Sequence, residues 1–229
     1  MSQPPDSIVL LHGLGSSFEH NWRRTGWVDI LADFGCDAPE IDLPGHGQAM
    51  RSHDPNDYNS IDVDVFNALP ADKPMTAVGF SAGARLLLRM AISHPDSFDK
   101  IVLLGVGDGV FESGGSGTNP LADALVQDEE PEDIQMRLFY RLAESSGNDR
   151  QAMAAFLRRP QQPLREEDLS VVRCPTLVVL GDRDDPRGAQ RLVAALGSGS
   201  LVTLAGVDHF STPSNFDAID ATLRFVGLG

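Results

Sequence analysis

The 229-residue sequence is short of aromatic side chains: Phe, Trp and Tyr make up 7% of it, so aliphatic residues must supply most of any core. Cysteine is nearly absent. Cys36 and Cys174 each lie inside or beside an apolar, strand-like run, which reads as a pair of small buried hydrophobes rather than a disulfide framework or a catalytic thiol. Positive charge is also scarce: 18 Lys and Arg against 33 Asp and Glu leave a formal charge of -15, with no basic cluster. Such a surface repels phosphate backbones and anionic membranes, so neither nucleic acid nor a membrane is an expected partner. No apolar run approaches the ~20 residues of a bilayer span. Met1–Asp6 shows no basic segment leading into an apolar stretch, so no secretory signal is visible and the expected address is cytoplasmic. The chain has no internal repeat and no heptads. It lacks a G-x-G-x-x-G after its first apolar run and lacks a P-loop lysine, which argues against a nucleotide-binding domain.

What remains is an ordinary globular mixture, 41% hydrophobic and 22% charged, of a length that suits a single α/β domain. Short apolar runs alternate with helix-period segments, the pattern of a mostly parallel sheet flanked by helices. Six strand candidates are visible: Ser7–Leu11, Asp37–Asp42, Thr76–Phe80, Lys100–Leu104, Thr176–Leu180 and Ser200–Leu204. Trp27, Ile30, Leu31 and Phe34 form a helical stripe stopped by Gly35. Further helices fit Ala82–Ser93, Ala189–Leu196 and Pro213–Phe225, the last with Thr212 as N-cap and Phe216, Ile219, Leu223 and Val226 as its stripe.

One connection is long. Gly105–Arg173 opens on the Gly/Ser-rich stretch Glu112–Thr118 and passes the acidic run Asp128–Asp133, a solvated turn and helix start. It then reads as two or three helices, with Ile134, Leu138 and Leu142 on one face and Met153, Phe156 and Leu157 on another. A structureless loop of this length would be unusual in a compact domain, so a helical insertion is expected. Residues 1–104 and 174–229 then form the core, and 105–173 the insertion.

The chemistry centres on Gly79-Phe80-Ser81-Ala82-Gly83, where an apolar run leads in and a helix leads out. A serine on so sharp a strand-to-helix turn needs small neighbours, which Gly79 and Gly83 supply, and it sits where the helix dipole favours developing negative charge. The rival reading is a glycine-rich turn in which Ser81 only caps the helix. His12-Gly13-Leu14-Gly15 follows the first strand directly. Acyl transfer needs preorganised donors for a tetrahedral oxyanion, and the Leu14 and Ala82 N–H groups are the candidates. His12 is given no proton-transfer role.

His12–Gly15, Asp42-Leu43-Pro44-Gly45-His46-Gly47, Gly79–Gly83, Gly181-Asp182-Arg183-Asp184 and Asp208-His209 together resemble the α/β-hydrolase superfamily, in the same order and at similar intervals. The resemblance spans nearly the whole chain except the insertion. It implies a serine nucleophile, Ser81, with His209 as base and Asp184, at the Gly-x-x-Asp spacing, as the acid that holds the histidine. Asp182 and Asp108 stay open as alternative acids, while Asp185, before Pro186, reads as a helix N-cap. His46 is implied to organise its loop, and His94, His20 and His53 to end a helix or sit in polar loops.

The resemblance further implies that the insertion is a helical lid over Ser81, with Phe111, Phe139, Met153 and Phe156 lining an acyl pocket or, equally, packing the lid to the core. The expected activity is hydrolysis of a small ester or thioester with no metal and no cofactor, the partner being a small acyl substrate. A C–C-bond hydrolase, lactonase, lyase or cofactor-free perhydrolase could use the same three residues, and a non-catalytic small-molecule-binding member is a further reading. The chain departs from the family in two places: only six residues precede the first strand, so an N-terminal hairpin is not expected, and the elbow continues Ala82-Gly83-Ala84 where many members have methionine and two glycines. Ser81 stands where dehalogenase and epoxide-hydrolase relatives carry an aspartate. Oligomeric state is not legible.

Overall fold

A computed structural model describes residues 4–70, 73–112, 119–161 and 163–229. The Gly/Ser-rich stretch beyond Glu112 and the first three residues lie outside these. Five strands form one parallel sheet in sequence order: β1 (Ile8–Leu11), β2 (Met75–Phe80), β3 (Phe98–Leu104), β4 (Thr176–Gly181) and β5 (Gly199–Leu204). The continuous apolar runs have a simple cause. Successive side chains point to opposite faces, and both faces are covered. Ile8, Leu10, Val78, Val102, Leu104 and Val179 enter one core; Val9, Leu11, Ala77, Ile101, Leu103 and Val178 enter the other.

The expected sixth strand, Asp37–Asp42, does not form. A single bridge joins Ser7 and Asp37, with Ile8 N–H donating to the Asp37 carbonyl at 2.8 Å, and pairing then stops. Pro39 has no N–H to continue the ladder.

Helix α1 (Trp27–Asp33) buries Trp27 and Leu31 beside Trp22, and the Trp27 indole donates to the Pro213 carbonyl at 2.7 Å. Phe34, the fourth residue of the expected stripe, is exposed. The opposite face carries α2 (Ile61–Ala68), which periodicity did not single out, and α3 (Ala82–Ser93), which runs over the expected residues. Between β3 and β4 lie a 3-10 turn (Asp108–Phe111), α4 (Pro120–Leu125), α5 (Ile134–Ser145), α6 (Arg150–Arg158) and α7 (Glu166–Leu169). Asn119, Asp133 and Asp149 cap α4, α5 and α6 by accepting first-turn N–H groups, so Asp133 of the acidic run is a helix start. The α5 face differs from expectation. Ile134 is 70% exposed and Leu138 is also exposed, while Tyr140 and Ala143 are buried; Arg150 lies over the Tyr140 ring at 4.2 Å. Periodicity alone cannot choose between two partly apolar faces, and the larger ring wins the interior.

Helix α8 (Gln190–Ala195) precedes β5 and α9 (Phe216–Val226) follows it. The α9 cap is Asn215, whose side chain accepts from the Asp217 and Ala218 N–H groups, whereas Thr212-Pro213 belongs to a separate 3-10 turn. The helix therefore starts later than expected, and Phe216 is 81% exposed instead of joining Ile219 and Val226 in the core. Among the described residues no helix is long and apolar enough to cross a membrane.

Candidate active site

Ser81, Asp184 and His209 come from loops at the C-terminal ends of three parallel strands, the edge where open α/β sheets present their sites. Ser81 ends β2 and precedes α3 with φ 52° and ψ -109°, and it is the only non-glycine residue with positive φ among those described. That conformation is costly for a side-chain-bearing residue and persists because its surroundings impose it. A Cβ on Gly79 would lie 2.7 Å from Ala84 Cα, and one on Gly83 would lie 2.6 Å from the Leu11 carbonyl carbon. Only glycine lets the helix start so close to its own strand and to β1.

The Ser81 Oγ lies 2.9 Å from His209 Nε2. On the other side of the ring, Nδ1 donates to both Asp184 oxygens, at 3.0 and 2.9 Å. This fixes the tautomer: with Nδ1 protonated, Nε2 presents a lone pair to the serine hydroxyl. Histidine and aspartate side chains are 23% and 10% exposed, so the pair is shielded but not sealed from solvent. The His209 turn is tied down locally, since Asp208 accepts the Ser211 N–H at 2.9 Å and the Thr212 hydroxyl donates to the Asp208 carbonyl.

The alternative acids are engaged elsewhere. Asp182 accepts the Gly206 N–H at 2.7 Å. Asp108, buried, accepts the Leu192 and Arg191 N–H groups at 2.9 and 3.3 Å and so caps α8 from a distant segment. The expected cap, Asp185, instead accepts the Gly109 and Arg187 N–H groups and pairs with the Arg187 guanidinium. Helix α8 begins too far downstream for Asp185 to reach it, and its vacant N–H groups fall to the turn after β3.

The loop His12–Ser16 runs beside the serine: a Cβ on Gly13 would stand 3.4 Å from Ser81 Cβ. Neither the Leu14 nor the Ala82 N–H has a hydrogen-bond acceptor among the described residues. Leu14 follows Gly13, the residue packed on Ser81, and Ala82 follows Ser81 itself.

His12 is fully buried. Its Nε2 accepts the Leu43 N–H at 3.0 Å and its Nδ1 donates to the Gly13 carbonyl at 2.8 Å; burial holds its pKa below the usual value. His46, edge-on to His12 and Phe156, is pushed down to about 3 by burial. Both are neutral fixtures of the loops around the site. His20 lies in a five-residue π-helix, Glu19–Arg23, rather than a loop, and His53 pairs with Asp149 at 2.8 Å. His94 ends α3 and stacks on Phe66. Burial raises both thiols, Cys36 to about 11, which leaves them protonated at neutral pH. Among the described residues no group of three or more His, Cys, Asp or Glu is placed to hold a metal ion.

Four residues were expected to contact substrate, and Phe156 is the one packed on His46. The Phe139 ring meets Phe210 at 5.1 Å, and Phe210 meets His209 at 5.6 Å. Met153 is fully buried, and its Sδ-methyl would lie 3.2 Å from a Cβ on Gly15. Phe111 sits on the turn after β3 beneath the Arg191 guanidinium, apart from that chain of rings. Sequence reasoning passed over Phe80, whose ring lies 5.0 Å from His209, and Phe210. Both adjoin motif residues, which was the available signal. It also passed over Asn21 and Asn148, which hold the loop after β1.

A model of the alpha/beta hydrolase family matches residues 8–222. No curated protein matches the sequence. Among solved structures, the fold is similar to that of a bromoperoxidase from Bacillus anthracis (TM-score 0.76, 18% identity, covering 97% of this chain and 92% of that one). It is also similar to an esterase from Rhodococcus sp. ECU1013 (TM-score 0.69, 20% identity, covering 98% and 92%). A third is the 2-hydroxy-6-oxo-6-phenylhexa-2,4-dienoate hydrolase from Rhodococcus sp. strain RHA1 (TM-score 0.67, 20% identity, covering 99% and 92%).

Proposed function

Because the chain belongs to the alpha/beta hydrolase family, we propose that it is a serine hydrolase that cleaves a small ester or thioester through an acyl-enzyme. The observation that carries this reading is the hydrogen-bonded series Ser81–His209–Asp184 at the strand ends. His209 Nε2 takes the Ser81 proton as Oγ attacks the carbonyl carbon. The new oxyanion accepts from the Leu14 and Ala82 N–H groups, at the positive end of α3. His209 then protonates the departing alcohol or thiol. It next takes a proton from water, whose oxygen attacks the acyl carbon, and it returns that proton to Ser81 Oγ as the acyl–oxygen bond breaks and the acid is freed.

The helices between β3 and β4 act as a lid on this site. Support comes from the Phe139–Phe210–His209 contacts and from Leu142 and Met153, whose side chains lie beside Gly15. Phe80, Phe139 and Phe210 form an apolar wall suited to a modest acyl group.

The test is hydrolysis of p-nitrophenyl acetate and butyrate, with the corresponding thioesters in parallel, together with labelling by a fluorophosphonate. Ser81→Ala is expected to abolish both turnover and labelling while folding is retained. Turnover by Ser81→Ala at the native rate would remove the nucleophile assignment. If the native protein cleaves only a vinylogous 1,5-diketone at its C–C bond, the same residues serve a C–C hydrolase instead.

A further inference from the structure

The loop that carries Leu14 is pinned by three buried polar side chains. His12 bonds the Gly13 carbonyl, and Asn21 accepts the Gly13 N–H at 2.9 Å. The third is Asn148, which lies at the turn between α5 and α6, more than 130 residues away in sequence. Its Nδ2 donates to the Gly15 and Ser16 carbonyls at 2.8 and 2.9 Å, and its Oδ1 accepts the Gly47 N–H at 2.8 Å. Both N–H groups and one of the two oxygen lone pairs of this buried amide are engaged, and its own backbone N–H is anchored to the Ala143 carbonyl.

The consequence for the loop is directional. The Gly13 N–H and carbonyl and the Gly15 and Ser16 carbonyls are all committed to side chains, and the Ser16 N–H to the Gly13 carbonyl. Among the described residues the Leu14 and Gly15 N–H groups at the tip of the loop are left without an acceptor, Leu14 being the one next to Gly13, which packs on Ser81. Gly15 has φ 76° and would otherwise be the most easily reoriented residue of the segment. We propose that Asn148 is a positioning residue: it acts through the Gly15 and Ser16 carbonyls to aim the Leu14 N–H at the oxyanion. A residue of the insertion thereby completes the donor pair of the core. This rests on the serine-hydrolase reading above.

Asn148→Asp keeps the shape and the acceptor for Gly47 but sets a carboxylate oxygen against the Gly15 and Ser16 carbonyls. Asn148→Ala removes all three bonds. In p-nitrophenyl acetate hydrolysis both variants are expected to lower kcat by about 10- to 100-fold with KM within about twofold, because a displaced donor weakens the transition state more than the bound ester. Each rate is divided by the folded fraction read from the fluorescence of the buried Trp22 and Trp27. His53→Ala breaks the adjacent exposed pair to Asp149 between the same two segments, and it is expected to leave kcat within about twofold.

A kcat unchanged in either folded Asn148 variant would overturn the proposal. So would a parallel rise in KM that accounts for the whole loss, or the failure of both variants to fold, which would make Asn148 a residue of the fold alone. If the native protein neither turns over an ester nor takes the fluorophosphonate, it is the serine-hydrolase reading that fails.

Discussion

At the scale of the residue, two aspartates, Asp184 and Asp108, divide distinct tasks, and the division is measurable. Asp184 gives both its oxygens to His209, whereas Asp108 gives its oxygens to α8 N–H groups. Asp184→Asn replaces one of the two accepting oxygens with an NH2 donor, which lets His209 Nδ1 accept and favours the unproductive tautomer, so kcat for p-nitrophenyl acetate is expected to fall by about 10³- to 10⁴-fold with little change in unfolding free energy. Asp108→Ala is expected to do the reverse. Urea unfolding should show a loss of about 1–2 kcal/mol from the missing cap, with kcat of the folded protein within about threefold. Equal effects on rate from the two variants would reopen the choice of acid. That choice was legible only as a spacing: Asp182, Asp184 and Asp185 crowd four residues, and which one faces His209 depends on where β5 and its loop lie.

At the scale of the element, the β2–α3 turn illustrates how glycine is used for space. A Cβ at residue 83 would press into the Leu11 carbonyl, which belongs to a neighbouring strand and cannot swing aside. Gly83→Ala is therefore expected to cost about 1–3 kcal/mol or more in urea unfolding and to lower the rate of fluorophosphonate labelling at Ser81. Gly35 offers the contrast: it has φ 71° but nothing within 4 Å of its would-be Cβ. Gly35→Ala should cost about 1 kcal/mol, from backbone conformation alone, and leave labelling unchanged. The elements with one strong period were readable from sequence, α3 to the residue. The 37–42 segment was not, because a proline decides pairing there while the apolar pattern suggests a strand. Nor was the α5 face, where Ile134 and Tyr140 compete for burial.

At the scale of the whole molecule, two buried histidines make stability depend on pH. Burial lowers the folded-state pKa of His12, and holds that of His46 near 3. The unfolded chain, with ordinary histidines near 6.5, binds these protons more readily than the native state does. Stability is thus fully present above about pH 6.5 and declines as pH falls from there toward 3, by up to about 1.4 kcal/mol per pH unit for each histidine. Urea midpoints measured from pH 7.5 to 4 should fall accordingly, and His46→Leu should flatten the slope even where it changes stability at pH 7. A slope unchanged by His46→Leu would mean that this ring does not titrate across the transition.

The sequence by itself determined the class of fold, the five strands of the sheet with one candidate too many, and the segments that bear Ser81, Asp184, His209 and the His12–Gly15 loop. These follow from local rules, since the burial of a strand, the start of a helix and the need for glycine at a turn are written within a few neighbouring residues. Only the tertiary structure decided which aspartate faces His209, that Asp108 caps a helix by accepting an N–H 84 residues downstream, that Phe80 and Phe210 flank the imidazole, and that Asn148 reaches the loop after β1. Each of these is a contact between segments far apart in the chain. No local pattern encodes such a contact, because the partner is chosen by how the sheet and the insertion pack.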